Sequence, residues 1–443
     1  MQTLLLAATV ICRHTVVMRN LTAPNRRLFV AGLAGLAASL PIAAQAQTGL
    51  VGDGTTDQTS ALQAAIDSAN GRLTLPAGRF RVSSLRLPSN ILIEGVPGAT
   101  WLVTSGGMAA SASAQSGIVL RDIGFTGDSG DAPLLGFEEC TGITVERCGF
   151  RDSPAIALGL RTSSATIRDC DFSGHGDAAI HSVDSLGVIV TGNTIEKCGN
   201  AGVRIWRSEN GPDGSIVSHN RIRTIDWRGG GNGQNGNGIN VYLADQVIVA
   251  DNHISDCAFT AVRLNTTHNC QVTGNLCFNS REVAIFSEFG FSGSIVSDNV
   301  IDGAATGIAI TNLDTGGQIA ICAGNIVRNI FPRSEVNPDT RPIGILVEAE
   351  VALTGNLVAN SPGAGIIAGW GPYLRNVAVS GNIVTESTIG IGVSVVDGVG
   401  AVTLSGNLVS GATEGDIVGM RWTEIAERDL LGNAGKYGHV RVM

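Results

Sequence analysis

The chain has 443 residues, of which 59 are glycine, 15% are charged and 5% are aromatic, a composition poor in the charged residues that α-rich proteins carry. Its hydrophobic content of 44% excludes a globally disordered chain. The formal net charge of −9 at pH 7 argues against nucleic acid or an acidic membrane surface as a partner.

Residues 1–46 are predicted to form a twin-arginine signal peptide. Arg26 and Arg27 precede an apolar stretch over residues 29–44, and Ala44-Gln45-Ala46 supplies the small residues of a cleavage site. A transmembrane anchor is the alternative, but the stretch is short, rich in Gly and Ala, and interrupted by Pro41. The signal predicts a periplasmic or extracellular protein.

Removal of this signal changes the charge balance. It takes away four arginines and no acidic residue, so the mature charge is 25 − 38 = −13, and a polyanionic ligand is repelled unless the binding face has its own basic patch. After residue 46 no apolar run approaches the ~20 residues that span a bilayer, so no membrane span is expected in the mature chain. Met18 is an alternative start to Met1.

Residues 47–98 are interpreted as an N-terminal cap and the first coil of a repeat. A short helix at this end would cover the apolar core and the unpaired strand edges of a solenoid. Ser or Thr is available to cap that helix. The apolar residues with helical spacing are Ala61, Leu62, Ala65, Ile66 and Ala69.

Residues 99–420 contain the repeat itself, in which an apolar-x-apolar strand is followed by two small or polar residues, an asparagine, one residue and another apolar residue. A second alternating apolar segment follows most copies. A period near 25 that tolerates insertions indicates a solenoid, and two alternating strands per coil predict an all-β, right-handed parallel β-helix of about 12–13 coils. The repeated asparagines are Asn193, Asn220, Asn252, Asn275, Asn299, Asn325, Asn356, Asn382 and Asn407.

The asparagines are predicted to be structural. Asparagine tolerates the left-handed conformation of a tight turn, and stacked amides can donate to one coil and accept from the next. Cys148 and Cys170 occupy the same position of the repeat and are interpreted as buried wall residues, and no cysteine spacing suggests a metal site or cofactor. Residues 421–443 lose the repeat and are predicted to be a C-terminal cap.

The stretches 52–59 (GDGTTDQT), 61–66 (ALQAAI), 75–80 (LPAGRF) and 87–95 (LPSNILIEG) resemble the opening of pectate-lyase-superfamily proteins, which phage tailspikes and polygalacturonase-like enzymes share. The resemblance implies a pectin-lyase-like β-helix but no particular activity. The signal and the asparagine repeats are also similar to an uncharacterised family of twin-arginine-translocated repeat proteins from alphaproteobacteria. That second resemblance implies fold and export only.

A candidate site follows from aligning the second strand of successive coils on its apolar core position. The next residue then faces outward, and so does the residue two positions further along. The first outward row is His181, Arg204, Asn240, Arg263, Phe286 and Ala309, and the second is Val183, Trp206, Tyr242, Asn265, Glu288 and Thr311. Insertions at 226–237 and 331–342 enter along the same stretch, where loops on a rigid scaffold often carry a site.

These rows suggest a polysaccharide or envelope glycan as ligand. Arg204 and Arg263 could hold a sugar carboxylate, and the residues predicted to contact the ligand are Trp206, Trp227, Asn240 and Tyr242. If the protein is an enzyme, it is a polysaccharide lyase or a glycoside hydrolase, and its catalytic candidates are His181, Arg204, Arg263, Glu288 and Asp226. The alternative is a non-enzymatic structural or adhesive solenoid whose outer face is only solvated.

Overall fold

The computed structural model describes residues 49–231 and 233–443, so the predicted signal peptide lies outside the described residues. These residues form a right-handed parallel β-helix of about 15 turns. One sheet has 26 strands and the other has 15. The predicted fold class is therefore confirmed. No helix among the described residues is long and apolar enough to cross a membrane.

The strands are short and are numbered in chain order. The first twenty are β1 Asp53–Asp57, β2 Arg72–Thr74, β3 Gly78–Val82, β4 Leu85–Arg86, β5 Leu92–Glu94, β6 Thr100–Ser105, β7 Ala110–Ser113, β8 Val119–Arg121, β9 Gly124–Asp128, β10 Leu135–Glu138, β11 Ile143–Glu146, β12 Gly149–Arg151, β13 Leu158–Arg161, β14 Ala165–Arg168, β15 Asp171–Ser173, β16 Ala178–Val183, β17 Ile189–Thr191, β18 Thr194–Cys198, β19 Ala201–Pro212 and β20 Ile216–Ser218. The others are β21 Arg221–Ile225, β22 Asn237–Asp245, β23 Ile248–Ala250, β24 His253–Cys257, β25 Val262–Asn265, β26 Gln271–Thr273, β27 Leu276–Glu288, β28 Ser292–Ser297, β29 Val300–Ile310, β30 Gln318–Ala323, β31 Ile326–Ile330, β32 Ile343–Val347, β33 Val351–Thr354, β34 Leu357–Ala368, β35 Val377–Ser380, β36 Ile383–Ser394, β37 Val402–Ser405, β38 Leu408–Ser410, β39 Gly415–Arg421, β40 Glu424–Glu427 and β41 Val440–Val442.

The two ends explain why the structure has more turns than the 12–13 predicted. The smaller sheet begins with β2 and ends with β41, which pairs with β37 in parallel, and both strands lie in segments that were interpreted as belonging to the caps. In the C-terminal segment β40 also folds back antiparallel on β39. These terminal turns lack the asparagine that marks the repeat.

The helix α1, Thr59–Ser68, caps the first turn as predicted and buries Leu62, Ala65 and Ile66. Its expected Ser or Thr cap is wrong. The N-cap residue is Gln58, which makes no capping hydrogen bond, and the Asp57 carboxylate instead accepts the backbone N–H of Thr59 at 2.8 Å.

The asparagines form one buried ladder along the rod. In Asn275, for example, Nδ2 donates to Oδ1 of Asn299 at 3.0 Å, and Oδ1 accepts Nδ2 of Asn252 at 2.9 Å. The left-handed residue is the one before the asparagine, such as Gly274 at φ 68° or Asp251 at φ 55°. The predicted amide stacking is confirmed, whereas the expectation that asparagine itself adopts the left-handed conformation is wrong.

The core fills the inside of the coils with side chains in register. Phe125, Phe150 and Phe172 stack with ring centroids 5.1 and 4.5 Å apart. Cys148 and Cys170 are buried in the column of the asparagine ladder, where the backbone N–H of Cys170 donates to Oδ1 of Asn193 at 2.9 Å. All eight cysteines of the described residues are buried and unbonded to one another.

Candidate functional site

The two outward rows have the predicted register. Strands β16, β19, β22, β25 and β27 pair in parallel, one from each successive coil. This pairing places neighbouring residues of the first row side by side, in the order His181, Arg204, Asn240, Arg263 and Phe286. It does the same for the second row, in the order Val183, Trp206, Tyr242, Asn265 and Glu288.

A groove of about 520 Å³ lies on the second row. Nε1 of Trp206 donates to Oδ1 of Asn240 at 2.8 Å, and the Trp206 and Tyr242 rings meet edge to face with centroids 6.0 Å apart. Tyr242 and Phe289 are 39% and 41% exposed, so the groove presents aromatic surface to the solvent. The lining residues are Trp206, Gly233, Gln234, Asn240, Tyr242, Arg263, Asn265, Glu288 and Phe289.

Arg263 is buried in a cluster of carboxylates. Its Nε and Nη2 donate to the two oxygens of Glu288 at 2.7 and 2.8 Å, and its Nη1 donates to Glu282 at 3.0 Å. Glu282 also accepts hydrogen bonds from Thr260 at 3.0 Å and from Asn337 at 2.8 Å. Burial raises the pKa of Glu288, and the charge of Arg263 limits that rise. The guanidinium is thus fully engaged by protein carboxylates.

Arg204 is buried as well, but only its two terminal nitrogens have partners, and its Nε is buried without one among the described residues. Its Nη1 donates to Asp177 at 3.0 Å, and its Nη2 donates to Asn235 at 2.8 Å. The expected role of Arg204 and Arg263, to hold a ligand carboxylate, therefore does not fit their geometry. The cause is the glycine-rich loop, whose residues Gly233 and Asn235 lie against the two arginines. Gly233 has φ 149°, and a Cβ on it would lie 2.4 Å from the Arg263 guanidinium.

His181, which is half-buried, and Glu348, which is buried, both have shifted pKa values. Burial, and to a lesser degree the charge of Arg204, lowers the pKa of His181 to about 4, so its imidazole is neutral at pH 7. Glu348 follows Thr311 in the row of Glu288, and burial raises its pKa to about 7. Its carboxylate accepts the backbone N–H of Leu313 at 2.8 Å.

Asp226 and Trp227 do not join the groove. Asp226 is exposed and pairs with Arg228 at 3.1 Å, while the Trp227 ring packs on Phe259 with centroids 4.9 Å apart. A pair of catalytic carboxylates formed by Glu288 and Asp226 is therefore not present in the groove. The 226–237 insertion contributes Gly233 and Gln234 to the lining instead.

The other insertion, 331–342, contacts the residues around the Arg263 ion cluster. Ser334 donates to the backbone carbonyl of Arg281 at 2.6 Å, and Asn337 donates to Glu282. Sequence reasoning missed Glu282 because a register shift between Ser280 and Val283 interrupts β27 there. It also missed Asp177 and Phe289, which lie at strand ends where the alternation of inward and outward residues stops.

Upstream on the same wall lies another depression, which adjoins this groove where the His181 and Trp206 rings meet edge to face. This second depression, of about 470 Å³, shares His181 and Val183 with the two rows, and Val183 is the in-register neighbour of Trp206. Its floor includes Gly136 and Gly159, and its charged lining residues are Glu138 and Arg161. We call the two depressions together the wall groove. It extends over eight paired strands, β7, β10, β13, β16, β19, β22, β25 and β27.

The wall is apolar downstream of the groove. Ile367, Val418 and Met420 are buried there in a separate cluster, against which Trp370 in the turn after β34 and Ile425 of the C-terminal hairpin pack. No group of three or more His, Cys, Asp or Glu side chains within residues 49–231 and 233–443 is placed to hold a metal ion.

Comparisons with known proteins agree with this architecture. A search of curated proteins found no match. Among solved structures, the chain is similar to a PL6 alginate lyase in complex with a trisaccharide, with 13% identity over 85% of this chain and 86% of that chain and a TM-score of 0.51. It is also similar to pre-mature gene product 12 of bacteriophage phi29, with 13% identity over 86% of this chain and 57% of that one and a TM-score of 0.52. Identities this low show the shared fold alone.

The A-module of mannuronan C-5 epimerase AlgE4 from Azotobacter vinelandii also matches, with 17% identity over 89% of this chain and 98% of that chain and a TM-score of 0.48. The family model described as the right-handed β-helix region matches residues 110–232 and 156–331. The two ranges matched by this family model together cover residues 110–331, which is 222 of the 443 residues. The chain therefore belongs to the right-handed β-helix family.

Proposed function

We propose that the protein is exported and binds a polysaccharide or cell-envelope glycan in the wall groove. The observation that carries the proposal is the aromatic surface of Trp206, Tyr242 and Phe289 within a groove on a rigid wall. Sugar rings have apolar C–H faces that pack on aromatic rings, and grooves with aromatic surface and a few fixed polar groups are typical ligand sites.

The dimensions of the groove fit an extended polymer. Eight paired strands make seven steps of ~4.8 Å, so the groove is about 34 Å long and runs parallel to the rod axis. The alginate lyase of the same fold was solved with a trisaccharide, which supports a glycan as the class of ligand on this scaffold.

Binding without catalysis fits the groove better than hydrolysis or elimination. Glu288 is buried and bound bidentately to Arg263. A hydrolase needs two carboxylates that reach the glycosidic bond. A lyase needs a basic group free to take a sugar proton. The Glu288 carboxylate is held by Arg263, and Nε2 of the half-buried His181 is itself inaccessible to solvent.

The test is to measure binding to a panel of polysaccharides with the wild type and with Tyr242→Ala and Phe289→Ala. Each substitution is expected to weaken binding at least about tenfold, because it removes a stacking surface without breaking a core contact. Trp422→Ala is the matched control, since Trp422 is 48% exposed but lies outside the groove. Equal affinity of all four proteins, or no binding by any of them, would favour a structural or adhesive solenoid.

Export is tested separately. Arg26→Lys combined with Arg27→Lys should leave the precursor in the cytoplasm, because the twin-arginine pathway depends on these residues. The measurement is the amount of protein in periplasmic and cytoplasmic fractions. Unchanged export of the double variant would contradict this route.

A further inference from the structure

We infer that the wall groove selects a neutral glycan over the uronate polymer of the same backbone. This inference rests on the proposed function, and it concerns only which glycan is bound. It follows from the charges that the structure brings together along the groove, where the two buried arginines are ion-paired and the exposed one has a glutamate on the neighbouring strand.

Two of the three arginines of the wall are bound to carboxylates. Arg204 is paired with Asp177, and Arg263 with both Glu288 and Glu282. The third, Arg161, is exposed and makes no ion pair within the described residues, but it is the in-register neighbour of Glu138 on the adjacent strand. Three positive charges thus meet four negative ones, so this part of the wall carries a net charge of 3 − 4 = −1.

The groove has no other group that would attract an anion. The imidazole of His181 is uncharged at neutral pH, and the remaining polar groups near the centre are the amides of Gln234, Asn240 and Asn265. Residues 49–443 as a whole carry 25 basic and 38 acidic side chains, so the surrounding potential is negative as well.

Amides and aromatic rings are suited to the hydroxyl groups and C–H faces of uncharged sugars. At the centre of the groove a carboxylate at C6 would instead lose its hydration beside Glu288 without gaining a free cation, and upstream the charge of Arg161 is offset by its neighbour Glu138. The same groove therefore accepts a neutral chain and disfavours its oxidised counterpart.

The experiment compares ligands that differ only at C6. Hexamers of a β-1,4-glucan, a β-1,4-mannan and an α-1,4-galactan are titrated calorimetrically against the protein, each beside the corresponding hexauronate. We expect one neutral hexamer to bind at least about tenfold more tightly than its uronate. Its affinity should stay constant between 50 and 500 mM NaCl, because no ion pair with the ligand forms.

A charge added to the groove sharpens the test. Gln234 is exposed and lines the groove, so Gln234→Lys supplies a free cation without breaking a buried contact. This variant should gain affinity for the uronate of the preferred backbone about threefold or more at low salt and lose the gain at high salt. Gln271→Lys, at an exposed position on β26 of the other sheet, is the matched control and should change neither affinity.

The outcomes separate the two proposals. Tighter, salt-sensitive binding of a uronate by the wild type would overturn the neutral selectivity and leave glycan binding intact. Absence of binding to all six hexamers and to the polysaccharide panel would overturn both. A neutral hexamer bound in a salt-independent way, with a uronate gain only in Gln234→Lys, supports the inference.

Discussion

The ion cluster around Arg263 gives the sharpest prediction for stability. Glu288→Gln keeps the size of the side chain, but its amide nitrogen faces a guanidinium N–H instead of accepting it. The variant therefore loses one of two charge-assisted hydrogen bonds, of 2.7 and 2.8 Å, together with the ion pair. Breaking a buried pair costs about 3–5 kcal/mol, and because Glu282 still compensates Arg263, we expect about 3 kcal/mol.

The assay is denaturant unfolding, compared as the change in free energy of unfolding at equal m-values. Glu196→Gln is the matched control, since its partner Arg223 is 62% exposed and such a pair contributes under about 1 kcal/mol. If both variants lose the same stability, the Arg263 cluster is not the buried, mutually dependent unit that the distances indicate.

The same reasoning gives a pH dependence with a definite sign. In Arg263→Met the carboxylate of Glu288 loses the cation that limits the rise of its pKa and still faces the charge of Glu282, so the pKa of Glu288 rises further above its unfolded value. A group with a raised folded pKa stabilises at low pH and loses that contribution as the pH rises. The deficit of this variant should therefore grow between pH 5 and pH 8, and a deficit independent of pH would refute the argument.

Three further predictions concern buried groups outside the cluster. Asn275→Ala should cost about 3 kcal/mol in denaturant unfolding, because it removes the acceptor of both the backbone N–H and one side-chain N–H of the buried Asn252, whereas Asn407→Ala at the partly exposed ladder end should cost about 1 kcal/mol. Glu348→Gln should gain stability relative to the wild type as the pH rises from 5 to 8, since the folded pKa of Glu348, about 7, lies above its unfolded value. His181→Gln should flatten the wild-type loss of stability as the pH falls from 6.5 to 4, since its folded pKa, about 4, lies below the unfolded value; an unchanged slope would refute this.

The repeat itself was predictable because every coil carries the same local pattern of alternating apolar and polar residues. Each strand alternates inward and outward, so aligning coils on one apolar position also aligns the outward rows, and the register of Arg204, Asn240 and Arg263 followed directly. The ladder was predictable for the same reason, because a buried amide in every coil can only be satisfied by its neighbours.

The burial of those arginines was not predictable from the same pattern. It depends on where the loop around Gly233 lies, and glycine-rich loops have no periodicity from which a path can be derived. It also depends on Glu282, which a register shift in β27 turns toward Arg263. Arg204 and Arg263 therefore lie at the predicted positions, but they bind protein side chains instead of facing a ligand.

The geometry of a parallel β-helix explains why the first outward row is ion-paired and the second is aromatic. Residues at the same position of successive coils lie ~4.8 Å apart, so cations that recur in one row, as Arg204 and Arg263 do with a single coil between them, repel each other unless carboxylates intervene. Asp177, Glu282 and Glu288 supply those carboxylates, and Asn235 and Gly233 of the loop lie against the two arginines. In the proposed function recognition falls to the second row, where Tyr242 and its aromatic neighbours need no counter-charge to remain exposed. A β-helix that neutralises its own cations in this way is suited to ligands recognised by shape and stacking, and not to ligands recognised by charge.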